Sequence, residues 1–167
     1  GGAAVFQETE PDNRVTGDVL TLANAAATFA DKNVGMGKTI AVSGISISGA
    51  DAGNYTPNTT ATTTANITAR GITGTITASS KAYDGTVAAT IATRSLSGPI
   101  SGDVVTYSGG SATFNNKNVG TGKTVTATGL SLSGADAGNY TVNATATTTA
   151  DITARQLIVS ASGTNKV

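Results

Sequence analysis

Lysine beside glycine is the first place to look for chemistry. Gly35-Met36-Gly37-Lys38-Thr39 recurs as Gly120-Thr121-Gly122-Lys123-Thr124. A Gly-Lys-Thr triplet cradles phosphate when a further Gly precedes it by four intervening residues and a helix follows it. Those positions hold Lys32 and Lys117, and the Thr leads into a strand, so a hairpin turn accounts for the glycines. Lys38 or Lys123 could form an internal isopeptide bond with an Asn if a buried acid lay beside the pair. The plainer role is a solvated edge charge that discourages sheet aggregation. Asp51, Asn54, Asp136 and Asn139 offer oxygens for calcium, but the ion takes six or more, and such residues in turns usually bond their own backbone. Asn54, Asn58, Asn66, Asn139 and Asn143 each begin an Asn-Xaa-Thr glycosylation pattern, which arises often by chance in a Thr-rich chain.

What is missing narrows the chemistry further. The chain has no His and no Cys, hence no side chain suited to acid–base work near neutral pH, no thiol nucleophile and no usual zinc or iron ligand set. The expectation is a protein that is not an enzyme, with no catalytic, cofactor-binding or metal-binding residues and no cofactor. Ten basic and ten acidic residues give zero net charge without basic clusters, which argues against nucleic acid. No window approaches the roughly 20 apolar residues of a membrane span, and Gly1 to Arg14 lacks the pattern of a signal peptide. No membrane insertion is expected, and any export signal is expected elsewhere.

The elements that must position these residues are built from small side chains. Thr, Ala, Gly and Ser supply 31, 27, 21 and 14 of the 167 residues. A neutral, Thr-rich and β-branched composition with no long helical pattern points to an all-β protein with thin layers. Displacing the sequence by 85 residues superimposes Thr28–Arg70 on Thr113–Arg155 without gaps, with 31 of 43 positions identical. Gly17-Asp18-Val19 likewise recurs as Gly102-Asp103-Val104. The organisation expected is a first repeat over 1–70 lacking its N-terminal strand, a complete repeat over 71–155, and the first strand of a further repeat over 156–167. That last segment is a candidate donor strand for the edge left open in the first repeat. The other explanation is that the ends mark the limits of a longer array.

In the complete copy the Thr, Val and Ile runs predict seven strands, at roughly 71–79, 86–94, 103–108, 111–115, 123–133, 139–145 and 147–154, with a bulge near Gly129. Between the fifth and sixth lies Gly-Ala-Asp-Ala-Gly-Asn-Tyr-Thr, at 49–56 and again at 134–141. The block resembles the tyrosine corner of immunoglobulin-like sandwiches, in which the Tyr hydroxyl bonds back to upstream backbone. Tyr55 and Tyr140 would fill that role, with Asp51 and Asp136 in the turn; Pro57 and Val142 stand where antibody domains have Cys. The fold class expected is therefore all-β, with tandem Ig-like antiparallel β-sandwich repeats of 85-residue period.

The sequence also resembles a known family. Lys81-Ala82-Tyr83-Asp84-Gly85-Thr86 is followed by Ala112-Thr113-Phe114, Lys117-Asn118-Val119-Gly120, Gly122-Lys123, the Asp136–Tyr140 block and Asp151-Ile152-Thr153-Ala154. This order is similar to the YDG-type repeat of large bacterial exoproteins of the filamentous-haemagglutinin kind. The resemblance implies structural roles for Tyr83, Asp84 and Gly85. It also implies an extracellular or cell-surface adhesin, exported by two-partner secretion, whose repeats form a stalk or filament in adhesion or biofilm. The partners expected are neighbouring repeats or copies of the chain itself, by strand exchange or end-to-end packing, with polysaccharide or matrix as weaker partners of its Ser, Thr and Asn faces. The competing reading is a module that binds carbohydrate or a host protein through the repeat surface.

Overall fold

Threonine and valine favour extended backbone because a branched Cβ packs well on a pleated surface, and in this computed structural model the regular elements are strands and two single turns of 3-10 helix. The structure describes residues 13–164. The chain divides into two compact units, 1–69 and 70–167. Among the described residues no helix is long and apolar enough to cross a membrane.

The first unit contains β1 (Thr21–Ala23), β2 (Ala26–Phe29), β3 (Gly35–Ser43), β4 (Ser46–Ser48) and β5 (Thr60–Ile67). Strands β2, β3 and β5 form an antiparallel sheet with β3 in the middle, and β1 pairs with β4. Ile40 and Val42, two apart on β3, are the buried apolar residues here, while Phe29, Ala65 and Ile67 are half-buried.

The second unit contains β6 (Arg70–Gly71), β7 (Thr73–Ala78), β8 (Lys81–Ala82), β9 (Ala88–Ala89), β10 (Ile91–Ser97), β11 (Thr106–Phe114), β12 (Gly120–Ser133), β13 (Tyr140–Thr141) and β14 (Thr145–Thr153). Five strands lie in the order β8-β14-β12-β11-β9; β7 pairs antiparallel with β10, and β6 runs parallel to β13. Inward residues of the large sheet, including Phe114, Val125, Ala127, Leu130 and Ile152, form one buried cluster with Ile76 of β7, flanked by Ile91 and Leu96 of β10. Val125 and Ala127 are fully enclosed. Small residues let the layers approach closely, which is why so few large side chains suffice. On the outer face, hydroxyls pair across strands: Thr75 with Ser95 at 2.7 Å, Thr77 with Thr93 at 2.6 Å, and Thr106 with Ser133 at 2.7 Å. Such pairs each add a few tenths of a kcal/mol to about 1 kcal/mol and give the threonines a role beyond propensity.

Several boundaries differ from the sequence expectation. The segments expected at 103–108 and 111–115 are one strand, β11, because Gly109 and Gly110 continue the ladder with positive φ instead of turning it back. The phase change on β12 is present, with Ala127 and Leu130 both buried, yet the β11–β12 register runs on without an extra residue. Gly109, Gly110 and Gly129, all at positive φ, produce it as a paired kink instead of the expected bulge. Arg94 fixes the kink from β10, donating to the Gly109 carbonyl from Nε at 3.0 Å and from a terminal nitrogen at 2.6 Å.

Candidate functional site

The residues singled out by type and spacing converge on three kinds of side-chain clamp. The first is the Gly-Ala-Asp-Ala-Gly-Asn-Tyr block. In the first unit the Asp51 carboxylate accepts the Val19 N–H at 2.8 Å, while the Asp51 N–H donates to the Val19 carbonyl. The Tyr55 hydroxyl accepts the Val15 N–H at 2.8 Å and donates to the Asp18 carboxylate at 2.6 Å. In the second unit Asp136 makes the same pair of bonds with Val104. Tyr140 accepts the Ile100 N–H at 3.0 Å and donates to Asp103 at 2.5 Å. Each tyrosine thus grips a turn 40 residues upstream, much farther back than the few residues of the corner it resembles. The hydrogen bond to a carboxylate stabilises the protonated phenol, so both hydroxyls titrate above their usual range.

Glycine is required where these loops touch. Gly49 and Gly134 have φ of +121° and +113°, and a Cβ on either would lie 2.3 Å from the carbonyl oxygen of Val19 or Val104. The partners Asp18 and Asp103 were not assigned a role from sequence. The signal was present, since Gly-Asp-Val recurs at the same spacing as the tyrosine block.

The second clamp is the Lys81–Thr86 corner. Strand β8 runs parallel to the end of β14, Lys81 opposite Ile152 and Ala82 opposite Thr153. The Tyr83 N–H donates to the Thr153 carbonyl at 2.9 Å, and its ring packs against the buried cluster. Asp84 accepts the Thr86 N–H and hydroxyl, each at 2.9 Å, and the Lys81 ammonium at 2.8 Å. Lys81 also donates to the Thr86 carbonyl at 3.0 Å and stands 5.6 Å above the Phe114 ring. Gly85 completes the turn at φ +81°. The bond from Lys81, then that from the Thr86 N–H, draws the Asp84 pKa from its ordinary 3.8 down to about 2.

The third clamp contains the Gly-Lys-Thr lysines. The glycines lie within β3 and β12 at a break in register opposite β5 and β14, not in the hairpin turn expected. Gly37 and Gly122 adopt φ near +60°, with their N–H groups bonded to Asn66 and Asp151 side chains at 2.8 Å. The bulge turns Lys38 toward Asp31 and the Asn33 carbonyl, and Lys123 toward Asn116. Lys38, followed by the Asn33 N–H, lowers the pKa of Asp31. Among the described residues no group of three or more His, Cys, Asp or Glu is placed to hold a metal ion.

These clamps do one thing: they fasten loops to strand ends with charge-assisted or side-chain-to-backbone bonds. The YDG domain family model matches residues 2–65 and again residues 68–150, together most of the chain. The protein belongs to the YDG domain family. Its second matched segment contains Tyr83-Asp84-Gly85, which occurs once in the chain. No curated protein and no solved structure matches the sequence.

Proposed function

We propose that this YDG-domain chain is part of a structural stalk or fibre of a bacterial surface or secreted adhesin, a spacer that carries a binding element away from the cell. The observation that carries the reading is the consecutive matching of one family along the chain, as expected of a tandem array built for length. The clamps support it, because aspartates, tyrosines and lysines that could otherwise react are taken up in holding loops. The fold reading that accompanies it is an Ig-like sandwich repeated every 85 residues. Its support is the layering of β7 and β10 on the five-stranded sheet and the repetition of the Asp–Tyr clamp at that interval. Residence outside the cell, two-partner secretion and roles in adhesion or biofilm rest on the resemblance to filamentous-haemagglutinin-like repeats.

Stretching single molecules held by terminal handles tests the mechanical role. A spacer gives separate unfolding events, each releasing roughly 300 Å of contour for about 85 residues. Extension without resistance would end the reading. The outward hydroxyl pairs on β7, β10, β11 and β12 favour a second reading, in which the surface itself binds carbohydrate or a host protein. Specific retention of the chain on a glycan array would select it over the spacer.

A further inference from the structure

Tension on a chain reaches a folded unit at the segments where the chain enters and leaves it. In the second unit those segments lie side by side. The entering residues 70–83 run in the same direction as the leaving residues 140–153, and the two are stitched together at both ends. At the first stitch β6 runs parallel to β13, with Arg70 opposite Tyr140 and Gly71 opposite Thr141, and the Ile72 N–H donates to the Thr141 carbonyl at 2.9 Å. Asn143 then holds Gly74 on both sides, its Oδ1 accepting the Gly74 N–H at 2.8 Å and its Nδ2 donating to the Gly74 carbonyl at 3.0 Å. The Tyr107 hydroxyl, donating to the Asn143 carbonyl at 2.7 Å, ties this stitch to β11. At the second stitch the Asp151 N–H donates to the Ser80 hydroxyl at 2.9 Å, β8 runs parallel to the end of β14, and the Tyr83 N–H donates to the Thr153 carbonyl at 2.9 Å. The Lys81 ammonium, bonded to Asp84 and Thr86, secures the corner that follows.

We propose that the two stitches act as a shear clamp, which lets the second unit resist tension along the chain until both give way together. The parallel direction decides this. A pull on the entering strand acts toward its N-terminal end and a pull on the leaving strand toward its C-terminal end, so the strands are driven lengthwise past each other. The bonds between them lie across that motion and share the load, whereas an antiparallel pair pulled in the same way opens from one end, a bond at a time. Slippage into a new register is also blocked. The bonded partners are 69 residues apart at Gly74 and Asn143 but 71 apart at Ser80 and Asp151, so a shift that re-forms one stitch misaligns the other. A shift of one residue would also turn Ile72 and Ile76, both buried, away from the core. Such a clamp is of use only to a chain that carries tension, so it rests on the spacer reading.

Single-molecule pulling on the full chain in two directions tests it. The sequence contains no Cys, so handles attach wherever one is introduced. Ala69→Cys with Ala154→Cys loads the entering and leaving strands lengthwise. Val87→Cys with Ala154→Cys puts both handles at the end where β14 finishes, because the Val87 carbonyl accepts the Phe114 N–H there, and the load runs across the strands. The lengthwise rupture force should be severalfold the crosswise one. Asn143→Ala, and more mildly Ser80→Ala at an exposed position, should lower the lengthwise force and leave the crosswise force unchanged. Asp136→Asn, which loosens Val104 outside both stitches, should lower the urea midpoint without lowering the lengthwise force. Equal resistance in both directions, or a lengthwise force that falls as far with Asp136→Asn as with Asn143→Ala, overturns the clamp and leaves the spacer reading standing. Extension without resistance in either direction overturns both.

Discussion

Asp84 accepts three hydrogen bonds from an ammonium, an amide and a hydroxyl, and so binds its proton less tightly folded than unfolded. A carboxyl with a depressed folded pKa contributes stability above its unfolded pKa and loses it as pH falls through the folded one. For Asp84 that window runs from about pH 4 down to about pH 2. The urea midpoint of the second unit should fall across this range, and Asp84→Asn should flatten the fall while lowering the midpoint at neutral pH. Two glycines separate backbone conformation from contact. At Gly122 φ is +59° and a Cβ meets nothing within 4 Å, so Gly122→Ala should cost only about 1 kcal/mol, the price of a left-handed residue. At Gly134 the same atom strikes the Val104 carbonyl, and Gly134→Ala should cost about 3 kcal/mol and break the bonds of Asp136 to Val104. Chemical denaturation of the two variants gives the order directly.

The strands show which parts of the fold could be read from sequence. Alternation on β14, with Ala146, Ala150 and Ile152 turned inward, follows from period-two patterning. The glycine steps did not yield to it, because Gly109-Gly110 signals a turn by composition and becomes a kink only through pairing with Gly129 on β12. The bulge beside Lys38 was hidden for the same reason: a Gly-x-Gly pair fits a turn or a break in register, and the Asn66 side chain that accepts the Gly37 N–H lies 29 residues away. The tyrosine block was recognisable as a corner, but its 40-residue reach depends on tertiary placement. Burial separates the equivalent strands β5 and β14. Ile152 is 1% exposed inside the large cluster, while its counterpart Ile67 is only half-buried. Ile152→Ala should therefore cost about 2–5 kcal/mol, and Ile67→Ala about 1 kcal/mol. Equal losses in urea denaturation would mean that Ile67 is enclosed as fully as Ile152.

The same asymmetry should govern the molecule as a whole. The described buried core of the first unit is Ile40 and Val42, whereas the second joins nine buried residues from four strands. Stability follows apolar area removed from water, at about 25 cal/mol per Å². Cross-strand hydroxyl pairs and charge-assisted clamps add smaller increments, and the second unit has the Lys81–Thr86 corner in addition to its Asp–Tyr clamp. Hydrogen exchange read residue by residue should divide the chain accordingly. Amides of β3 around Ile40 should exchange through openings of low free energy, and those of β12 around Val125 only through unfolding of the second unit. In urea the β3 signals should disappear first, giving two transitions. Coincident loss of β3 and β12 signals would show instead that the units unfold as one, with the first drawing its stability from the second.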